Sequence, residues 1–112
     1  MSKMIREFSV QGSEAEPYKV IFEKDETSLR GSCTCRAGIF GQLCKHRLLI
    51  LGGLTDGVVS SSLDDVGEVA SWLAGTNVAA ALADLAALEA EKAVIETRIK
   101  QAKKVVAQAL TH

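Results

Sequence analysis

All three cysteines of this 112-residue chain fall within fourteen residues: Cys33-Thr34-Cys35, eight intervening residues, then Cys44-Lys45-His46. His46 is one of only two histidines. Thiolate and imidazole are the ligands Zn²⁺ prefers, and four of them close a tetrahedral shell with no open position. A structural zinc ion is the first expectation. One disulfide with a leftover thiol is an alternative, but Cys33 and Cys35 are too close in sequence to bridge readily, and an odd count suits a secreted framework poorly. A redox pair would more usually be spaced Cys-x-x-Cys. Cysteines buried as small core residues would leave the paired spacing unexplained.

Cys-x-Cys, a short loop, then Cys-x-His running into Arg47-Leu-Leu-Ile-Leu51 resembles the SWIM-type zinc finger. The resemblance covers roughly residues 18–54, about a third of the chain. It implies that Cys33, Cys35, Cys44 and His46 are the ligands and that Phe40 is the aromatic residue of the loop. It also implies a β-hairpin before the first pair and a helix beginning near the second. Modules of this kind are associated with DNA binding and with protein contacts, so DNA is an expected partner.

Charge is distributed in a way that bears on that expectation. The net charge of −1 argues against a surface built throughout for nucleic acid. From Leu29 to Thr55, however, the basic residues Arg30, Arg36, Lys45 and Arg47 stand without an acidic neighbour in sequence. With three thiolates and one Zn²⁺ contributing about −1, this region keeps about +3. These four are the candidate phosphate contacts, with Thr34 and Gln42 as possible hydrogen-bond donors. No apolar run reaches the roughly 18–20 residues that cross a membrane, and the N-terminus has no hydrophobic signal core. The expected location is intracellular, cytoplasmic for a prokaryotic or phage protein, where thiols stay reduced.

The fold expected is α+β. Met4–Val10 alternates imperfectly as a strand, and Gly12, Ser13 and Pro17 mark a loop. Tyr18-Lys-Val-Ile-Phe-Glu is rich in β-branched and aromatic residues. It pairs with Ser28–Cys35 across the turn Lys24-Asp-Glu-Thr. On an extended strand Cys33 and Cys35 would share a face, and Cys44 and His46 would close the site from the first turn of a helix, Gln42–Leu51. Leu48 to Leu51 would pack on Val20, Phe22 and Leu29. Residues 1–54 thus form the zinc-binding module, 55–61 a linker and 62–112 a helical region. Within it, Ser62 caps a short amphipathic helix over 63–74, where Trp72 either packs on the neighbouring helix or anchors an interface. Thr76 or Asn77 opens one long helix, 77–110.

That last helix has no Gly or Pro and is dense in Ala, Leu, Glu, Lys and Gln. Counting heptads from Val78 as a, the a and d positions are Val78, Ala81, Leu85, Leu88, Lys92, Ile95, Ile99, Ala102, Val106 and Ala109, all apolar but Lys92. Such a repeat meets the coiled-coil criterion. Val78, Leu85, Leu88, Ile95, Ile99 and Val106 are the candidate interface, for a homo-oligomer or for a protein partner. Asp84, Glu89, Glu91 and Glu96 occupy the first half, and Arg98, Lys100, Lys103 and Lys104 the second. That order suits antiparallel pairing, although complementing the helix macrodipole would produce it too.

Nothing in the sequence suggests an enzyme. Apart from His112 no histidine is left for acid–base work, and a four-ligand zinc shell holds no activated water. There is no phosphate-cradling glycine motif and no Gly-x-Ser-x-Gly nucleophile, so no small-molecule substrate is expected. Two functions remain: a DNA-binding zinc module, or an assembly subunit whose zinc is purely structural and whose long helix binds a protein.

Overall fold

The computed structural model describes residues 3–60 and 63–111. The expected cap Ser62 and the terminal His112 lie outside them. Strands β1 (Met4–Val10), β2 (Tyr18–Asp25) and β3 (Ser28–Cys33) form an antiparallel meander in the order β1-β2-β3. Four helices follow: α1 (Arg36–Ile39), α2 (Lys45–Leu51), α3 (Leu63–Ser71) and α4 (Asn77–Leu110). The expected α+β architecture is the one observed.

The sheet register follows from alternation. Phe8 lies opposite Val20, and Val20 opposite Cys33. Residues two apart project to one face, so Phe8 and Val10, Val20 and Phe22, and Leu29 and Cys33 are all buried. Phe8 and Phe22 meet edge to face, with ring centroids 6.4 Å apart. Phe22 is also cross-strand to Gly31, where an added Cβ would lie 2.7 Å from the ring. Only glycine leaves Phe22 its place there. The turn between β2 and β3 is tight, with Glu26 at φ 56°.

Ile50 of α2 and Val66, Val69 and Trp72 from α3 and its end close the same core. Burial at about 1.5–3 kcal/mol per large apolar side chain is the main stabilising term. Trp72 is buried as expected. Its ring also receives the Arg6 guanidinium at 5.7 Å, while Arg6 binds Glu68 at 2.7 Å. Residues 55–60, expected as a linker, run along β1. Gln11 N–H donates to the Gly57 carbonyl at 2.7 Å and Val59 N–H to that of Ser9 at 2.8 Å.

Helix α3 ends at Ser71 rather than 74, and Gly75 takes a left-handed φ of 76°. Thr76 then caps α4, its Oγ1 accepting from Ala79 N–H at 3.3 Å. Asn77 has a different task. Its Oδ1 accepts from Leu29 N–H at 2.9 Å, and its own N–H donates to the Thr27 carbonyl at 3.2 Å. The edge of β3 is thereby covered. Two compact units result, Met1–Ala79 and Ala80–His112. The first holds the sheet, α1 to α3 and the start of α4; the second is the remainder of α4.

Candidate metal centre

The four candidate ligands come from a strand end, two helix N-caps and the first turn of a helix. Cys33 is the last residue of β3. Thr34 then holds the chain against β2, its N–H donating to the Lys19 carbonyl at 3.1 Å and its Oγ1 accepting from Lys19 N–H at 2.9 Å. Cys35 lies beyond the strand, as the N-cap of α1, where its sulfur accepts from Gly38 N–H at 3.3 Å. The shared face of an extended strand is therefore not what aims Cys35. Instead, the turn into α1 does so. Cys44 is the N-cap of α2, in extended backbone, and His46 is the helix's second residue. The helix begins at Lys45 rather than Gln42, so Cys44 stands just ahead of the first turn.

Gly38 has a steric role. A Cβ there would fall on the Cys33 carbonyl. Gly41, at φ 72°, then turns the chain back toward Cys44.

All four residues are buried, and their donor atoms lie within 4.8 Å of one another. Cys33 Sγ stands 3.8 Å from His46 Nδ1. Ligands on one tetrahedral zinc, at about 2.3 Å for sulfur and 2.05 Å for nitrogen, would stand roughly 3.6 Å apart. The Cys33–His46 separation needs only a small contraction. Buried thiols and a buried imidazole, gathered without a disulfide, fit a zinc ion in ligand type, number and spacing.

On its far side the His46 ring packs on Tyr18, with centroids 5.0 Å apart, and Nε2 is buried without a hydrogen-bond partner among the described residues. A Cβ on Gly12 would approach Nε2 to 3.3 Å. Nδ1 faces the sulfurs and is the nitrogen that would ligate a metal, while Tyr18 and Gly12 fix the ring by packing.

The electrostatics are uneven. Burial pushes the Cys33 thiol up to about 12, and the neighbouring Cys44 and Cys35 sulfurs add to it. Burial opposes the Cys44 thiolate as well, but hydrogen bonds and positive charge from Arg47 outweigh it and hold Cys44 below its usual value. Burial, with Lys45 beside it, also depresses His46, which favours the neutral imidazole that a metal needs.

The four basic residues do not act alike. The Arg47 guanidinium turns inward: Nε donates to Cys44 Sγ at 3.1 Å, Nη1 to the Gly31 carbonyl at 3.0 Å and Nη2 to the Gln42 carbonyl at 2.6 Å. It braces the candidate metal centre; its place three residues after Cys44 allows the Nε–Sγ contact, but nothing in the sequence marks the reach to Gly31 on β3. Arg30 is exposed on β3, cross-strand to Glu23, in a groove that Asp25 also lines. Arg36 is exposed, its guanidinium 6.0 Å from the Phe40 ring. Lys45 is exposed. The loop between the ligand pairs also exposes Ile39, Phe40 and Leu43.

Of the candidate interface, Val78 packs against the core of the first unit instead. Leu85, Leu88, Ile95, Ile99 and Val106 are exposed. No helix among the described residues is long and apolar enough to cross a membrane. Comparison with protein-family models, curated proteins and solved structures finds no match, so the site is read from its own geometry.

Proposed function

We propose that this chain is a SWIM-like, zinc-stabilised interaction module without catalytic activity, and that α4 docks a helical protein partner. One observation carries the reading. Between Leu85 and Val106 the heptad positions present Leu88 at 61%, Ile95 at 53%, Ile99 at 49% and Val106 at 59% exposure. Apolar side chains repeated along one seam of a helix at such exposure mark a surface that gains by being covered. Zinc, bound by Cys33, Cys35, Cys44 and His46, would supply a tetrahedral cross-link between β3, α1 and α2. In a unit this small, metal binding contributes directly to folding free energy.

Nucleic-acid binding is the second reading. It is supported by Arg36 and Lys45, exposed on the elements that carry the ligands, with Arg30 nearby in sequence. Arg47 is engaged in the candidate metal centre and Arg30 sits beside acidic groups, which leaves Arg36 and Lys45 as the candidate phosphate contacts. Two or three phosphate contacts supply weak, salt-sensitive binding and no sequence specificity.

A single set of samples separates the readings. The zinc-loaded chain and its Ile95→Asp/Ile99→Asp variant are compared by light scattering, and by fluorescence anisotropy against single- and double-stranded DNA. Loss of association in the variant, with zinc retained and no DNA binding at low salt, supports protein docking. DNA binding with a log–log salt slope of about −2 to −3, lost in Arg36→Ala/Lys45→Ala, supports the second reading.

A further inference from the structure

Charge order along α4 selects its partner. Resting on the protein-docking reading above, we infer that α4 pairs with the α4 of a second copy of this chain, antiparallel and in one register. In that register each a position meets a d position of the second copy. Leu85 lies opposite Ala102, Leu88 opposite Ile99, and Lys92 opposite Ile95. The whole seam from Ala81 to Val106 is matched without overhang, and Val78, held in its own core, is not needed.

Lys92 is the strongest argument. A parallel, in-register pair would place the two Lys92 side chains in one layer of the seam, like charge against like charge in an apolar setting. The antiparallel pair packs each Lys92 stem on an isoleucine. Its ammonium emerges on the flank that holds Glu89 and Glu96, and within one helix it already stands 3.8 Å from Glu96. The two Lys92 charges there offset half of the four glutamates contributed by the two copies.

The flanking positions point the same way. In a parallel pair every facing g–e couple is of like sign: Asp84 with Glu89, Glu91 with Glu96, and Arg98 with Lys103. In the antiparallel pair one flank still sets Glu89 against Glu96 of the second copy, with Lys92 beside them, but the opposite flank sets Glu91 against Arg98, and by symmetry this attraction occurs twice. Overall, the acidic first half of each helix lies beside the basic second half of the other. Complementing the helix dipole orders charges along one helix, but it does not explain a lysine in the seam.

Charge reversal tests this in the full zinc-loaded chain, by sedimentation equilibrium. A dimer is expected. Glu91→Arg should weaken it about tenfold, because two attractive pairs become repulsive. Arg98→Glu should do the same, and the double variant should return to near the parent value. A parallel dimer gives the opposite result, since each single reversal turns like-charged couples into attractive ones and tightens it. Tightening or no change in the single variants therefore overturns the inference, as does a monomer at every concentration or any assembly other than a dimer. A monomer that still binds a different helical partner through the same seam would overturn the inference and leave the docking reading standing. Both substitutions lie on an exposed helix face, and zinc content with circular dichroism verifies that the variants fold.

Discussion

Arg47 and Cys44 are joined by a hydrogen bond of 3.1 Å from Nε to Sγ, and the same guanidinium reaches the Gly31 carbonyl on β3. One side chain thus ties α2 to the strand that delivers the first ligand. It also supplies positive charge to the Cys44 sulfur and holds its thiol below the usual value. Arg47→Met should lower zinc affinity about tenfold or more, in line with losses seen when groups that orient metal ligands are removed. Arg47→Lys should recover only part of it, since an ammonium cannot span both partners. Competition with a chromogenic chelator measures both.

Removing the ion should unfold the first unit more than α4. Cys33→Ser or excess chelator removes the cross-link between β3, α1 and α2. The expected outcome is loss of the cooperative thermal transition and exposure of Trp72, seen in its fluorescence, while much of the helical signal of α4 persists. A Trp72 that stays buried after verified zinc loss would contradict a structural role for the metal.

Zinc affinity should climb with pH across the neutral range. The ion-free Cys33 thiol, pushed up to about 12, holds its proton at pH 7 and must release it to bind. Each unit by which pH falls below that value therefore costs about tenfold in apparent affinity from this residue alone. Cys44, held below its usual value, competes less strongly with protons. His46 is depressed by burial and by Lys45, so it is neutral at pH 7 and opposes binding only in more acidic solution. Calorimetry in buffers of different ionisation enthalpy counts the protons, and at least one should be released at pH 7.

Two glycines should respond in opposite directions. Gly38→Ala places a methyl group on the Cys33 carbonyl. It should cost about 1–3 kcal/mol and weaken zinc binding through displacement of Cys33. Gly67, exposed in α3 with open space around its Cβ position, should gain about 0.5–1 kcal/mol on change to Ala. Chemical denaturation of the zinc-loaded variants reads both.

Local pattern was enough to locate the ligands, the strands and the long helix. Cys33, Cys35, Cys44 and His46 declare themselves by residue type and spacing, whatever the chain does around them. Alternation through β1 and β2, and the uninterrupted helix formers from Asn77 to Leu110, are likewise properties of short windows. The limits of elements were harder to read. Cys35 falls outside its strand and Cys44 outside its helix, because both serve as caps and a cap is defined by the turn it closes.

Assignments that depend on distant neighbours were made only in the folded chain. In sequence, Arg47 is one of four similar cations, and only the approach of β3 to α2 turns it inward to Cys44 and Gly31. Val78 shares the heptad of Leu85 and Ile99, yet the core made by the sheet, α2 and α3 claims it. Asn77 passes for a simple cap until Leu29 N–H, at the edge of β3, is found on its side chain. Composition and spacing along the chain determined which groups could hold a metal and which segments are helix or strand. Long-range packing alone decided which charges and apolar side chains stay free, since that depends on what each one faces across the fold.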